Sequence, residues 1–120
     1  MDLIIGGAYQ GKLDYARKQY NLTDEDICDC GSGAAPDLSR RCIYHFELLV
    51  RRQLAGTGSF AMPDLRGDAV IIADDISCGV VPIETDIRLW REETGRALTA
   101  LAARADTVTR IFCGLPARIK

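Results

Sequence analysis

The sequence predicts an α/β domain with a mainly parallel sheet of about four or five strands, and three observations carry that reading. Apolar runs of strand length alternate along the chain with stretches whose apolar residues recur at helical spacing. The run Ala69-Val70-Ile71-Ile72-Ala73 is apolar at every position, as a strand buried on both faces of a parallel sheet requires. The first strand candidate ends in glycine and passes at once into helix-compatible sequence, a strand, turn and helix in succession.

Taken in order, Leu3-Ile4-Ile5 is the first strand, Gly6-Gly7 opens a turn, and a helix follows from Lys12 to about Tyr20. A short strand is centred on Ile27 and closes in the loop Gly31 to Pro36. From Asp37 the period changes: Leu38, Cys42, Phe46 and Leu49 fall on one stripe, and Arg40, Glu47 and Arg51 on the opposite side, predicting an amphipathic helix to about Leu54. Gly56-Thr57-Gly58-Ser59 and the stretch through Met62-Pro63 to Gly67 read as a linker, of the composition shared by lids and disordered loops. The buried strand at Ala69 ends on Asp74 and Asp75. After Pro82, the residues Ile83, Ile87, Trp90, Ala97 and Leu101 predict a long helix with a bend at Gly95, supported by Glu84 before Arg88 and Glu92 before Arg96. Thr107 to Cys113 is the last β-rich run, broken by Gly114-Leu115-Pro116 before a short tail.

Composition bounds what such a domain does. At 120 residues the chain supports one core, so residues 1–120 are read as a single domain. With 48% hydrophobic and 27% charged residues it is neither a disordered tail nor a disulfide-stapled miniprotein. A net charge of -2 lacks the basic excess of a nucleic-acid binder. No apolar run reaches the roughly 20 residues that span a bilayer, and no secretory signal opens the chain, so the expectation is a cytoplasmic protein away from membranes. Cys28, Cys30, Cys42, Cys78 and Cys113 are odd in number and scattered, which reads as reduced, buried thiols rather than a disulfide framework or a zinc site.

Three constellations could carry chemistry. Gly6-Gly7-Ala8-Tyr9-Gln10-Gly11-Lys12 has the spacing of a phosphate-binding loop and lies between a strand and a helix. In such a loop backbone N–H groups and the helix amino terminus meet a phosphate while the lysine bridges its outer oxygens. Leu13 stands where the full pattern has a hydroxyl ligand for Mg²⁺, and an isobutyl group cannot coordinate a hard cation. The competing reading is a glycine turn with a chance lysine. Asp74 and Asp75, at the carboxyl end of a buried strand, stand where an α/β nucleotide site takes a Mg²⁺ partner or a general base, although acidic residues also end strands for purely local reasons. His45 is the single histidine. On the helical reading it lies near the middle of an apolar stripe, which suits a buried imidazole at a helix contact. No nucleophile-elbow pattern accompanies Thr57 or Ser59.

The loop Gly6-Gly7-Ala8-x-x-Gly11-Lys12 resembles the bifunctional adenosylcobinamide kinase/adenosylcobinamide-phosphate guanylyltransferase family of cobalamin biosynthesis. So, more specifically, do Gly79-Val80-Val81-Pro82, Arg88, Trp90, Arg91, Gly95, Ala105-Asp106-x-Val108, Gly114 and Ile119-Lys120. The resemblance implies a three-layer RecA-like P-loop fold, a homo-oligomer, ATP or GTP as cofactor, phosphorylation of the aminopropanol arm of a corrinoid, and GMP transfer through a guanylylated histidine. His45 stands 33 residues after Lys12, at the family's interval. On that alignment Lys12 and His45 are the catalytic residues, Gly6 to Leu13 bind the nucleotide, and Asp74 and Asp75 hold Mg²⁺. The chain is shorter than the family between His45 and Ala69, has Val50, Arg51 and Arg52 where the family has an arginine-proline and a tryptophan, and has Asp74-Asp75 and Leu98-Thr99 for asparagine-glutamate and asparagine-glutamine. With Leu13, these departures define a second reading: a catalytically degenerate nucleotide-binding or oligomerising regulatory module.

Overall fold

A computed structural model describes residues 1–76 and 83–120. In chain order the elements are β1 (Asp2–Gly6), α1 (Lys12–Tyr20), β2 (Ile27–Asp29), β3 (Cys42–Tyr44), α2 (Phe46–Thr57), β4 (Val70–Asp74), α3 (Thr85–Arg104), β5 (Thr107–Phe112) and β6 (Leu115–Arg118). They form one sheet of strand order β2-β3-β4-β1-β5-β6, in which only the β5–β6 pair is antiparallel. The α/β expectation holds, with six strands in place of four or five. Among the described residues no helix is long and apolar enough to cross a membrane.

The apolar strands are sorted between the two faces by their alternating side chains. Leu3, Ile43, Ile71, Ala73 and Val108 pack with Phe46, Leu49 and Val50 of α2 and Ala97 and Leu101 of α3. Ile4, Cys42, Val70, Ile72 and Ile111 pack with Ala16 of α1. Helices therefore cover both faces in three layers. Burial pushes the Cys42 thiol up to about 12, and burial with Cys28 beside it does the same to Cys30, so these groups stay protonated. Cys113 departs from the buried-thiol expectation and is exposed, while Cys78 lies outside the described residues.

Three sequence expectations are corrected. The predicted helix from Asp37 to Leu54 is two elements: residues 42–44 are a strand and the helix begins at Phe46. Cys42 and Ile43 are buried on opposite sheet faces, and a short strand running into an apolar helix imitates a 3.6-residue stripe. The linker-like stretch is ordered on the core, with Phe60 edge-on to Phe46 at 6.0 Å and Met62 and Leu65 packed against the same cluster. Beyond Gly114 the tail is no loose end: Cys113 (φ 51°) and Gly114 (φ 76°) form a two-residue turn that returns the chain as β6. Both positions lie in the left-handed region, as the tight hairpin turn demands, and Pro116 is tolerated because β6 is an edge strand. The long helix runs as one element through Gly95.

β1 lies between β4 and β5, pairing Ile4 with Ile72 and Leu3 with Val108. Its last residue, Gly6, approaches β5 so closely that an added Cβ would meet the Ile111 carbonyl oxygen at 2.5 Å. Backbone on both sides fixes that gap, so Gly6→Ala is expected to destabilise the fold by about 1–3 kcal/mol. Urea denaturation checks this, and a midpoint unchanged from the parent would contradict the close approach.

Candidate functional site

Because β1, β3 and β4 are parallel, their carboxyl ends open on one edge of the sheet, where ligands of such sheets bind. The turn leaving β1 rises through Tyr9 (φ 58°) and Gly11 (φ 89°) before α1 starts at Lys12. Gln10 ties this loop to the β5–β6 turn: its carbonyl accepts from the Gly114 amide at 2.8 Å and its Oε1 from the Cys113 amide at 2.6 Å. The loop residues Ala8 to Asp14, with Tyr44, His45 and Asp74, line a cavity of about 500 Å³.

Lys12 folds inward. Its Nζ donates to the Gly7 carbonyl at 2.6 Å and pairs with Asp74 Oδ1 at 2.7 Å, and its side chain is 4% exposed. Asp74, the last residue of β4, lines the cavity. Asp75 does not; its amide donates to the Gly6 carbonyl at 2.8 Å and ties the ends of β4 and β1 together. Leu13 contributes an apolar stretch of wall. Of the predicted nucleotide-binding residues, Ala8 to Leu13 gather at the cavity with His45 and Asp74, while Gly6 and Gly7 form the approach to it.

His45 is not on a buried helical stripe. It caps α2 with φ 59° and ψ 51°, a left-handed conformation, and its side chain stays 26% exposed beside Tyr44, the ring centroids 3.9 Å apart. The strand β3 delivers it to the cavity, and the sharp backbone reversal starts the helix directly after it.

Sequence reasoning missed Glu47, which the helical reading put on a polar face. With α2 beginning at Phe46, Glu47 turns into the protein and is 2% exposed. Its Oε1 accepts from the Asp74 amide at 2.7 Å and lies 3.4 Å from His45 Nδ1. Its backbone carbonyl accepts the Trp90 indole N–H at 2.7 Å, so one residue links α2, β4 and α3. Arg51 covers the Trp90 ring at 4.8 Å. Burial raises the Glu47 carboxyl above the usual carboxylate range; the Asp74 amide opposes that rise and the Asp74 carboxylate adds to it. The available signal was an acid two positions from the sole histidine in an otherwise apolar stretch.

Two of the C-terminal residues singled out in the sequence support this edge. Trp90 holds Glu47 and Gly114 holds Gln10, whereas Asp106 pairs with the Met1 amino group at 2.7 Å at the opposite, amino-terminal edge of the sheet. Gly79, Val80, Val81 and Pro82 lie outside the described residues. A family model described as cobinamide kinase / cobinamide phosphate guanyltransferase matches residues 52–119, a span that includes Asp74, Trp90 and Gly114 and follows the loop and His45. No curated protein matches the chain.

The raised Glu47 carboxyl has a measurable consequence. The folded state binds that proton more readily than the unfolded one, so stability falls as pH rises from the ordinary carboxylate range through the raised folded value. Glu47→Gln removes the ionisation and keeps an oxygen for the Asp74 amide. In metal-free thermal melts the variant is expected to gain on the parent as pH rises from the ordinary carboxylate range through the raised folded value. A difference independent of pH would contradict the assignment.

Proposed function

The chain belongs to the cobinamide kinase / cobinamide phosphate guanyltransferase family, and from that premise we propose that it binds a nucleoside triphosphate, ATP or GTP, over Gly6 to Leu13. It then transfers the terminal phosphoryl group to a cobinamide, a corrinoid, in cobalamin biosynthesis. The observation that carries the reading is the buried Lys12 ammonium at the amino terminus of α1, beside a cavity lined by the loop and by Asp74. An anion is favoured there by the lysine, the loop amides and the helix dipole together.

Binding exchanges partners. Lys12 leaves the Gly7 carbonyl and Asp74 for phosphate oxygens, and stabilises the charge that develops on the transferred group. The acceptor hydroxyl oxygen attacks the terminal phosphorus. A new P–O bond forms, the bond to the bridging oxygen breaks, and the nucleoside diphosphate leaves with that electron pair. Asp74, freed of Lys12, takes the hydroxyl proton. Mg²⁺ would supply charge neutralisation on the phosphates, with Asp74 the member of the predicted Asp74-Asp75 pair that lines the cavity and could hold it. Leu13 provides no oxygen at the usual position, so that seat is incomplete.

His45 favours a second reading because it lines the same cavity. In it, a neutral ring nitrogen attacks the α-phosphorus of GTP, an N–P bond forms, and pyrophosphate leaves with the electrons of the broken P–O bond. Cobinamide phosphate then displaces the imidazole and carries off GMP. An acid-labile GMP adduct on incubation with labelled GTP, lost in His45→Asn and kept in Cys42→Ala, is the signature of this second transfer. Leu13 favours the remaining alternative, nucleotide binding without turnover in a regulatory module. Exposed Ile83 and Leu89 near the start of α3 support a homo-oligomer under any of these readings, which sedimentation at tens of micromolar protein would test.

Calorimetric titration with ATP and with GTP is the decisive measurement. Lys12→Ala is expected to weaken binding roughly 10- to 100-fold, the worth of a charge-assisted contact. Unchanged affinity for both nucleotides would overturn the loop assignment. Binding without phosphoryl transfer to cobinamide would support the regulatory module.

A further inference from the structure

His45, Glu47 and Asp74 come from the β3–α2 junction, the first turn of α2 and the end of β4, and one ligand atom from each lies within 4.8 Å of the others. A second observation concerns Glu47 alone. Its Oε1 is engaged by the Asp74 amide, whereas Oε2, on the same carbon, is buried with no hydrogen-bond partner. A buried carboxylate oxygen left unsatisfied in a residue only 2% exposed is disfavoured unless something positive meets it. The charges nearby leave room for a cation. Among the side chains, two carboxylates, Glu47 and Asp74, stand against the Lys12 ammonium.

We propose that His45, Glu47 and Asp74 form a seat for one divalent cation of the borderline class, such as Mn²⁺, Co²⁺ or Zn²⁺. The donor set decides the class: an imidazole nitrogen with two carboxylates suits these ions, whereas Mg²⁺ favours oxygen ligands and retained water. Three protein ligands leave coordination positions unfilled, as sites that also meet a substrate do. His45 and Asp74 line the cavity that holds the phosphate loop, so phosphate oxygens can take those positions. The seat thereby supplies on α2 and β4 the metal contact that Leu13 cannot supply on α1. Its role toward phosphate rests on the nucleotide reading above, but the binding of the ion does not. A His45 engaged by a cation is also withdrawn from nucleophilic attack, so the seat favours phosphoryl over GMP transfer.

The test uses metal-free protein, the full chain, without nucleotide, so its failure is separate from any failure of nucleotide binding. Mn²⁺ and Mg²⁺ are titrated calorimetrically, and uptake of Mn²⁺ is read independently from the loss of the free-ion electron paramagnetic resonance signal. One Mn²⁺ per chain is expected, bound roughly tenfold or more tighter than Mg²⁺. His45→Asn keeps a residue that tolerates the left-handed backbone, and Glu47→Gln keeps shape. Each is expected to weaken Mn²⁺ binding roughly tenfold or more. Circular dichroism confirms that the variants fold, and should Glu47→Gln fail to fold, His45→Asn and Asp74→Asn decide. No Mn²⁺ uptake at millimolar concentration, or uptake unaltered in folded His45→Asn, overturns the seat. Equal affinity for Mg²⁺ and Mn²⁺ overturns its assigned class.

Discussion

The parallel pairing of β1 with β4 on one side and β5 on the other constrains everything that follows from it. With neighbours on both edges and helices on both faces, β1 has no freedom to slip, because a shift of one residue would exchange Leu3 and Ile4 between two different cores. Gly6 is thereby held beside the Ile111 carbonyl and the turn must leave the sheet at that point. Asp74 pairs with Gly6 in the same register, which sets Lys12 and Asp74 within reach of each other across the turn. The charged pair is a by-product of strand register, and so is its distance from the helix that follows.

How much of this was legible in the sequence depends on whether a residue's role is local. β1, α1 and β4 are read correctly because a continuous apolar run, a glycine turn and a strand-to-helix switch are contained within a few neighbouring residues. The glycine turn that joins β1 to α1 is legible for the same reason. The β3–α2 region is not, because three strand residues carry too little pattern to outweigh the longer apolar stripe they interrupt. What decides there is tertiary: pairing of Cys42 and Ile43 with both β2 and β4. Once that strand is misread, His45 passes for a core residue and Glu47 for a surface acid. β6 was hidden by Pro116 and Gly114, which punctuate a chain end and a tight hairpin alike.

The site gathers groups that would be unfavourable separately. Buried Lys12 and buried Glu47 both meet Asp74, one pairing with its carboxylate and the other accepting from its amide. Charges this poorly solvated are held only by one another and by the backbone. A ligand that draws Lys12 away from Asp74 alters the balance for Glu47 and His45 as well. Trp90 carries the same coupling to α3 through the Glu47 carbonyl, which places a residue of the family-matched span one hydrogen bond from the site without lining it.

The clasp between Gln10 and the β5–β6 turn has a consequence for how the molecule is made. The amide that Gln10 Oε1 holds belongs to a residue 103 positions further along the chain. Closing so long a loop is entropically costly and slow compared with forming a helix or a hairpin. During synthesis the segment that opens the chain therefore waits for its own scaffold: β1 has no β5 beside it, and Gln10 no turn to hold, until the last helix and hairpin have left the ribosome. The cavity-lining loop is thus coded early and shaped late, which makes its finished form a report that β5 and β6 have joined the sheet.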